Sequence, residues 1–206
     1  VIARTEAADG VHVTVGPIAD VLDRLPVPGQ AVEEARALPA WRAKEYSAAR
    51  ALLAHALSAW DMDGTRVEKT AHGKPLLPGR HDVGISLSHS ADTVAVAVAP
   101  GREVGVDVQE AWLPSPSMVR RCCEPGVASD LAAATPSERA RHFARIWAAQ
   151  EACVKATGDG IAGRPWSIPV HPGDHAGTWR TLRWRHLRDP DSTAAVCCAF
   201  TERTNR

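Results

Sequence analysis

The stretch VGISLSHSADTVAVAVAPGREVGVDVQ, residues 83–109, decides the fold. It holds three β-type runs. Residues 83–88 alternate apolar with small residues. Residues 93–99 are a β-branched and alanine run that stops at Pro100-Gly101. Residues 104–109 alternate again. Three such runs at short spacing predict an antiparallel meander. Along a strand, successive side chains face opposite ways. Val106 and Val108 therefore share one face and Asp107 and Gln109 the other, so two oxygen-bearing side chains point together. Alone, that pattern describes any half-exposed strand with its polar residues outward.

Upstream of this stretch, His72-Gly73-Lys74-Pro75 is a turn signature, and residues 66–70 read as a short strand. A helical pattern runs from Ala31 to about Ser58, split near its start by Pro39. Residues 11–15 read as a first strand. Downstream, residues 117–123 and 129–134 read as short helices. Thr135 and Glu138 form a capping box with Pro136 in the first turn. The helix they open is predicted to reach Thr157 and stop at Gly158. Strands near 178–187 and 193–201 close the chain. The order gives an α+β fold of two similar halves, residues 1–105 and 106–206, each a small antiparallel sheet with a long helix.

Composition narrows the function classes. The chain has 206 residues, with Lys+Arg and Asp+Glu both 24 and no formal net charge. Nothing global draws it to nucleic acid or to a membrane. No apolar run approaches the roughly 18 residues of a membrane span, and Val1-Ile2-Ala3-Arg4 opens no apolar leader core. The five cysteines, Cys122, Cys123, Cys153, Cys197 and Cys198, show no CxxC spacing. Their odd count does not fit a secreted disulfide framework. They read as small buried hydrophobes in a reducing compartment, and a cytoplasmic protein is expected. Only four basic residues are lysines, Lys44, Lys69, Lys74 and Lys155, against twenty arginines.

Phe143, Trp147, Glu151 and Lys155 are spaced by four and share one helix stripe. The two aromatics are expected to face the core, which brings a carboxylate and an amine to its edge. Ser88-His89-Ser90 ends the first strand of the opening stretch. Neighbouring residues on a strand face apart, and the segment lacks the GxSxG elbow, so a serine-hydrolase reading fails. A hydroxyl, an imidazole and a lysine suit anion binding better.

Taken in order, Gly73-Lys74-Pro75, Ser88-His89-Ser90, Gly105-Val106-Asp107 and Trp147…Glu151…Lys155 resemble the Sfp-type 4′-phosphopantetheinyl transferases. Their pattern is GKP, SHS, G(I/V)D and W-x-x-K-E-x-x-x-K. The resemblance covers residues 73–160. It implies two pseudo-symmetric halves with coenzyme A in the cleft between them. It implies transfer of 4′-phosphopantetheine to a serine of an apo acyl- or peptidyl-carrier protein, with release of 3′,5′-ADP. It also implies Mg²⁺ held by Asp107 and Glu151, and Lys155 on the coenzyme A phosphates. Lys74, Ser88 and His89 would line the nucleotide and 3′-phosphate region. Arg50 matches the family's basic residue on the first long helix, and Arg42 and Lys44 are looser candidates. Because both halves lie in one chain, a functional monomer is expected. The carrier contact is expected between Ala111 and Ser137.

Three positions depart from the family pattern. Gln109 stands where many members have a third acidic metal ligand; its amide oxygen or a water would take that place. Gln150 replaces the lysine before Glu151. Val127 lies where some members have a glutamate proposed as base, which leaves Glu151, a metal-linked water or Glu124 for that step. The alternative to an active transferase is a non-catalytic protein that binds coenzyme A or a carrier. Keeping Asp107, Glu151 and Lys155 together argues against it.

Other motifs carry less. Gly158-Asp159-Gly160-Ile161-Ala162-Gly163 matches GxGxxG but follows a helix, so Gly158 reads as a helix cap. Trp179 to Arg185 interleaves arginine and tryptophan, and reads as a strand with Leu182 and Trp184 inward. His171 and His175 flank Pro172-Gly173 and do not share a helix face.

Overall fold

The computed structural model of the chain describes residues 1–188 and 192–203. The chain opens with β1 (Ala3–Ala8), β2 (Val11–Pro17), α1 (Ile18–Arg24), α2 (Gly29–Ala35) and α3 (Ala40–Ser58). A small ribbon follows, β3 (Glu68–Lys69) and β4 (Pro75–Leu76), and then β5 (Val83–Ser90) and β6 (Thr93–Pro100). Next come β7 (Val104–Glu110), α4 (Pro116–Cys122), α5 (Pro125–Ala133) and α6 (Pro136–Thr157). The last strands are β8 (Ala176–Trp179), β9 (Leu182–His186) and β10 (Ala194–Thr201). Two four-stranded antiparallel sheets result, ordered β1-β2-β6-β5 and β7-β10-β9-β8. The α+β class is as the sequence predicts.

Alternation along the strands builds four layers. Val94, Val96 and Val98 of β6 face α3, whose Ala48, Leu52 and Leu53 are buried against them. Ala95, Ala97 and Ala99 of the same strand turn the other way. They pack with Val13 and Val15 against Val104, Val106, Val108, Val196 and Cys198 of the second sheet. The outer face of that sheet, with Cys197, Ala199, Leu182 and Trp184, receives α6 through Phe143, Ile146, Ala152 and Cys153. The layers run helix, sheet, sheet, helix. Each fully buried Val, Leu or Phe adds about 1.5–3 kcal/mol.

Helix boundaries follow their caps. Thr135 Oγ1 accepts the Glu138 N–H, the Glu138 carboxylate accepts the Thr135 N–H, and Gly158 ends α6 at φ 81°. Pro39 separates α2 from α3. The cysteines are all free, and four of the five are buried. Burial pushes the Cys153 thiol up to about 12, away from thiolate chemistry at neutral pH.

The predicted meander is half right. β5 and β6 pair, with Ser86 opposite Ala97. β7 instead leaves the sheet and pairs with β10, with Asp107 opposite Cys197. The reason lies on β5. Val83, Ile85 and Leu87 face α3, so Gly84, Ser86, Ser88 and Ser90 face β7. Ser86 Oγ accepts the Val106 N–H at 3.0 Å, Ser88 Oγ the Val108 N–H at 3.3 Å, and Ser90 Oγ the Glu110 N–H at 3.0 Å. Side-chain hydroxyls thus satisfy the free edge of β7 where strand carbonyls would otherwise be required. Two edge strands from different sheets lie side by side, joined by a hydroxyl ladder.

Other boundaries also differ. β1 and α1 were not anticipated, and the second short helix starts earlier, at Pro125. The late strand predicted at 178–187 is a hairpin, with Arg180 at φ 52° in its turn. Leu182 and Trp184 point inward as expected.

Two glycines permit the close approach of layers. A Cβ on Gly84 would lie 2.2 Å from the Arg102 carbonyl oxygen. A Cβ on Gly105 would lie 2.0 Å from the Ala152 carbonyl oxygen and 2.5 Å from the Ala156 nitrogen. Both obstacles at Gly105 are α6 backbone, so β7 and α6 must separate to admit a methyl. Gly105→Ala is expected to destabilise the protein by about 3 kcal/mol or more, at the upper end of overpacking effects. Denaturant unfolding checks this, and a loss under about 1 kcal/mol would mean that the helix and strand slide apart freely.

Candidate active site

β7 and α6 bring the central groups together. Gly105 lets the helix lie directly on the strand, and Asp107, two residues on, shares that face. Asp107 is buried, at 5% exposure. Its Oδ1 accepts the Ser88 hydroxyl at 2.7 Å and the Lys155 ammonium at 2.5 Å. Lys155 Nζ also donates to Ser88 Oγ at 2.9 Å. The Ser88 hydroxyl therefore gives its proton to Asp107 and accepts from Val108 and Lys155, which uses all of its bonding capacity. Asp107 Oδ2 is buried without a hydrogen-bond partner. A carboxylate oxygen left bare inside the protein is costly unless something positive meets it.

Glu151 shares a cleft of about 620 Å³ with Asp107, walled by Met118, Arg121, Trp147 and Trp166. Burial raises its proton affinity above that of an ordinary glutamate. Lys155 opposes this rise, and Asp107 adds to it. Gln109 does not line this cleft. Its amide nitrogen donates to Ser90 Oγ at 3.4 Å and to the Glu110 carbonyl at 3.1 Å. Among the described residues no three His, Cys, Asp or Glu side chains gather as a metal cage.

On the α3 side, Arg42 Nη1 lies 3.1 Å from His89 Nε2. An arginine only donates, so Nε2 is the acceptor and the proton sits on Nδ1. That proton faces the Glu45 carboxylate at 3.5 Å. Burial lowers the His89 pKa, Glu45 pulls against it, and Arg42 and Lys155 lower it further. His89 is thus neutral at pH 7, held between a cation and an anion.

Arg50 is buried one helical turn past Tyr46. Its Nε donates to the Tyr46 hydroxyl at 3.0 Å, and Glu34 lies 3.9 Å from Nη2. Its Nη1 is buried without a partner. It lines a second cleft of about 540 Å³ with Arg42, Tyr46, Arg66 and Lys69. That cleft holds the basic side chains an anionic ligand needs.

Asp107, Ser88 and Lys155 are in direct contact, Glu151 shares their cleft, and His89 feels their charge. Lys74 is placed apart. Its ammonium donates to the Ala156 carbonyl at 2.6 Å, near the end of α6, and pairs with Glu103. A cation there also suits the negative end of the helix dipole. Val127 is buried in the α6 core and Glu124 lies on the surface. Sequence reasoning missed Glu45, Met118, Arg121 and Trp166. Their positions depend on folding of segments far apart in the chain, and no local spacing marks them.

Two family profiles match the chain. One, described as the 4′-phosphopantetheinyl transferase superfamily, covers residues 103–198. The other, the 4′-phosphopantetheinyl transferase N-terminal domain, covers residues 29–99. The chain belongs to the 4′-phosphopantetheinyl transferase superfamily. The gap between the two matches is the turn where the chain passes from β6 to β7 and from one sheet to the other.

Relatives carry the same name. A 4′-phosphopantetheinyl transferase of Bacillus subtilis is 28% identical over 91 residues, 44% of this chain and 40% of its own length. HetI of Nostoc sp. is 29% identical over 168 residues, 76% of this chain and 71% of its own. AcpT of Salmonella typhimurium is 30% identical over 132 residues, 62% of this chain and 63% of its own. The matched stretch thus spans well under half of the first relative and about two thirds of the other two. In this transferase-superfamily chain, no helix among the described residues is long and apolar enough to cross a membrane.

Glu151 offers a test that needs no substrate. A carboxyl whose proton affinity is raised by folding stabilises the fold while protonated, and that contribution is lost as pH rises through its folded pKa. Glu151→Gln removes the buried charge. In metal-free protein it is expected to raise Tm by roughly 2–4 °C at neutral and alkaline pH. The gain should vanish below about pH 4, under the ordinary glutamate range. Thermal melts across pH read this directly, and equal Tm values at pH 8 would contradict the buried-charge assignment.

Proposed function

We propose that the protein transfers 4′-phosphopantetheine from coenzyme A to a serine hydroxyl of an apo acyl- or peptidyl-carrier protein, and that it is of the Sfp type. The observation that carries this reading is the cluster in which Asp107 and Lys155 meet through Ser88 beside the Glu151 cleft. The superfamily membership gives the reaction class.

Asp107 and Glu151 are the residues that would hold Mg²⁺. The fit rests on the bare, buried Oδ2 of Asp107 next to a cleft that also presents Glu151. Two carboxylates suffice, since Mg²⁺ takes one or two and fills its remaining positions with water and substrate phosphate. When bound, the ion supplies positive charge for the pyrophosphate under attack.

The chain's own residues do the rest. Lys155 places its ammonium toward the phosphates, and a unit charge about 4 Å away is worth about 4 kcal/mol at an effective dielectric of 20. Glu151 is the carboxylate in the cleft at hand to accept the serine proton. The serine oxygen bonds to the β-phosphorus of coenzyme A, and the bond to the bridging oxygen breaks, releasing 3′,5′-ADP. Arg50 and Arg42 line the cleft on the α3 side and receive the nucleotide phosphates, with His89 holding Arg42 from behind. The Lys74 ammonium already holds the end of α6, so Lys74 takes a supporting part and makes no direct phosphate contact. Gln109 would act on the ion only indirectly, since its side chain lies outside the cleft shared by Asp107 and Glu151. We read residues 1–105 and 106–206 as two pseudo-symmetric halves around a shared cleft; the chain changes sheet between β6 and β7, at residues 101–103, a little before that division. We place the protein in the cytoplasm, as a monomer.

Mass spectrometry tests the reaction. With coenzyme A, Mg²⁺ and a panel of apo carriers, at least one carrier should gain the phosphopantetheine mass. Asp107→Asn should lower kcat/KM by about 10²–10³-fold. No mass gain on any carrier would favour a protein that only binds coenzyme A or carriers. Gln109→Glu adds a negative charge beside the site. It should lower the Mg²⁺ concentration for half-maximal rate, and an unchanged or higher requirement would remove Gln109 from the metal's surroundings.

A further inference from the structure

Gln150 precedes Glu151 on α6, yet it faces neither solvent nor the cleft. It is 0% exposed. Its Nε2 donates to the Cys122 carbonyl at 2.8 Å and to the Ile168 carbonyl at 2.9 Å. Two carbonyl acceptors fix the amide orientation, because only the nitrogen donates. The price is Oε1, buried with no hydrogen-bond partner. An unmet buried acceptor is unfavourable, and a methionine of similar volume would avoid it. A side chain kept despite that penalty invites a functional explanation.

The two carbonyls belong to segments that wall the cleft. Cys122 ends α4, which contributes Met118, Arg121 and Cys122 itself. Ile168 follows the 3₁₀ turn at Pro165–Ser167, which contributes Pro165 and Trp166. Arg121 also lies over the Trp166 ring at 4.1 Å, joining the same two segments at the surface. Asp107 and Glu151 line the same space, but they are carried by β7 and α6 and not by these walls.

We infer that Gln150 is a positioning residue whose amide ties both cleft walls to α6 and sets the width of the cleft beside Asp107 and Glu151. Substrate affinity depends on that width. The carboxylate pair does not, because its own supports are untouched by the tie. Only the kinetic readout of this inference rests on the transferase reading.

Gln150→Met keeps the volume and removes both donors. Hydrogen exchange should accelerate in residues 116–123 and 165–170 while the centre of α6 stays protected. KM for coenzyme A should rise roughly tenfold. The kcat and the Mg²⁺ requirement should stay within about twofold. If Gln150→Met does not fold, Gln150→Asn gives the same readings, since its amide is one methylene too short to reach both carbonyls. A general fall in stability with KM and local exchange unchanged would overturn the inference, as would local loosening without a change in KM. Should the wild-type protein modify no carrier, the transferase reading fails on its own, and the exchange pattern still decides whether Gln150 holds the walls.

Discussion

Three serine hydroxyls, on Ser86, Ser88 and Ser90, take the backbone N–H groups of Val106, Val108 and Glu110. Everything at the site depends on this ladder. A strand edge with open N–H groups must be paired, covered or hydrated. Here side chains of a neighbouring edge strand cover it, one rung every second residue. β7 is free to pair with β10 on its other edge, and two sheets form from what would otherwise be one. The small face of β5, with Gly84 ahead of the serines, allows the approach. The valines of β7 then fill the space between the sheets, which turns Gly105 and Asp107 toward α6.

The middle rung links structure to chemistry. Ser88 holds the Val108 N–H and the Asp107 carboxylate at once, and it receives the Lys155 ammonium. Asp107 therefore sits at a fixed height on the strand with one oxygen engaged and the other bare. A buried carboxylate half-satisfied in this way is well placed for a cation. Lys155 comes from the far end of α6 and Glu151 from one turn before it, so the contact of that helix with β7 sets the spacing of all three. The serine is thus a support for the acid, and its hydroxyl is not spare for a phosphate.

Much of this was legible in the sequence. The 27-residue stretch displays its alternation, the Thr135–Glu138 box and Gly158 mark the ends of α6, and the four-residue stripe puts Glu151 and Lys155 together. Asp107 was visible because ordered, separated motifs reinforce one another. The sheet change at β7 was not visible. Period-two patterning fixes which face a residue takes and says nothing about which strand it pairs with, and Ser86, Ser88 and Ser90 look like ordinary polar strand positions. The role of Lys74 was hidden for a similar reason: its partners, Ala156 and Glu103, are far away in the chain. Gln150 showed only as a departure from the family lysine, because helix geometry gives its angle from Glu151 but not what packs there.

The most direct measurement is amide exchange, resolved by residue, along β7. Val106, Val108 and Glu110 point away from β10 and have only serine hydroxyls as partners. The account predicts that these three amides are protected in the wild-type protein, and that Ser88→Ala accelerates Val108 with little effect on its neighbours Asp107 and Gln109. Free exchange of all three amides in the wild type, or a Ser88→Ala protein in which Val108 stays as protected as before, would contradict it.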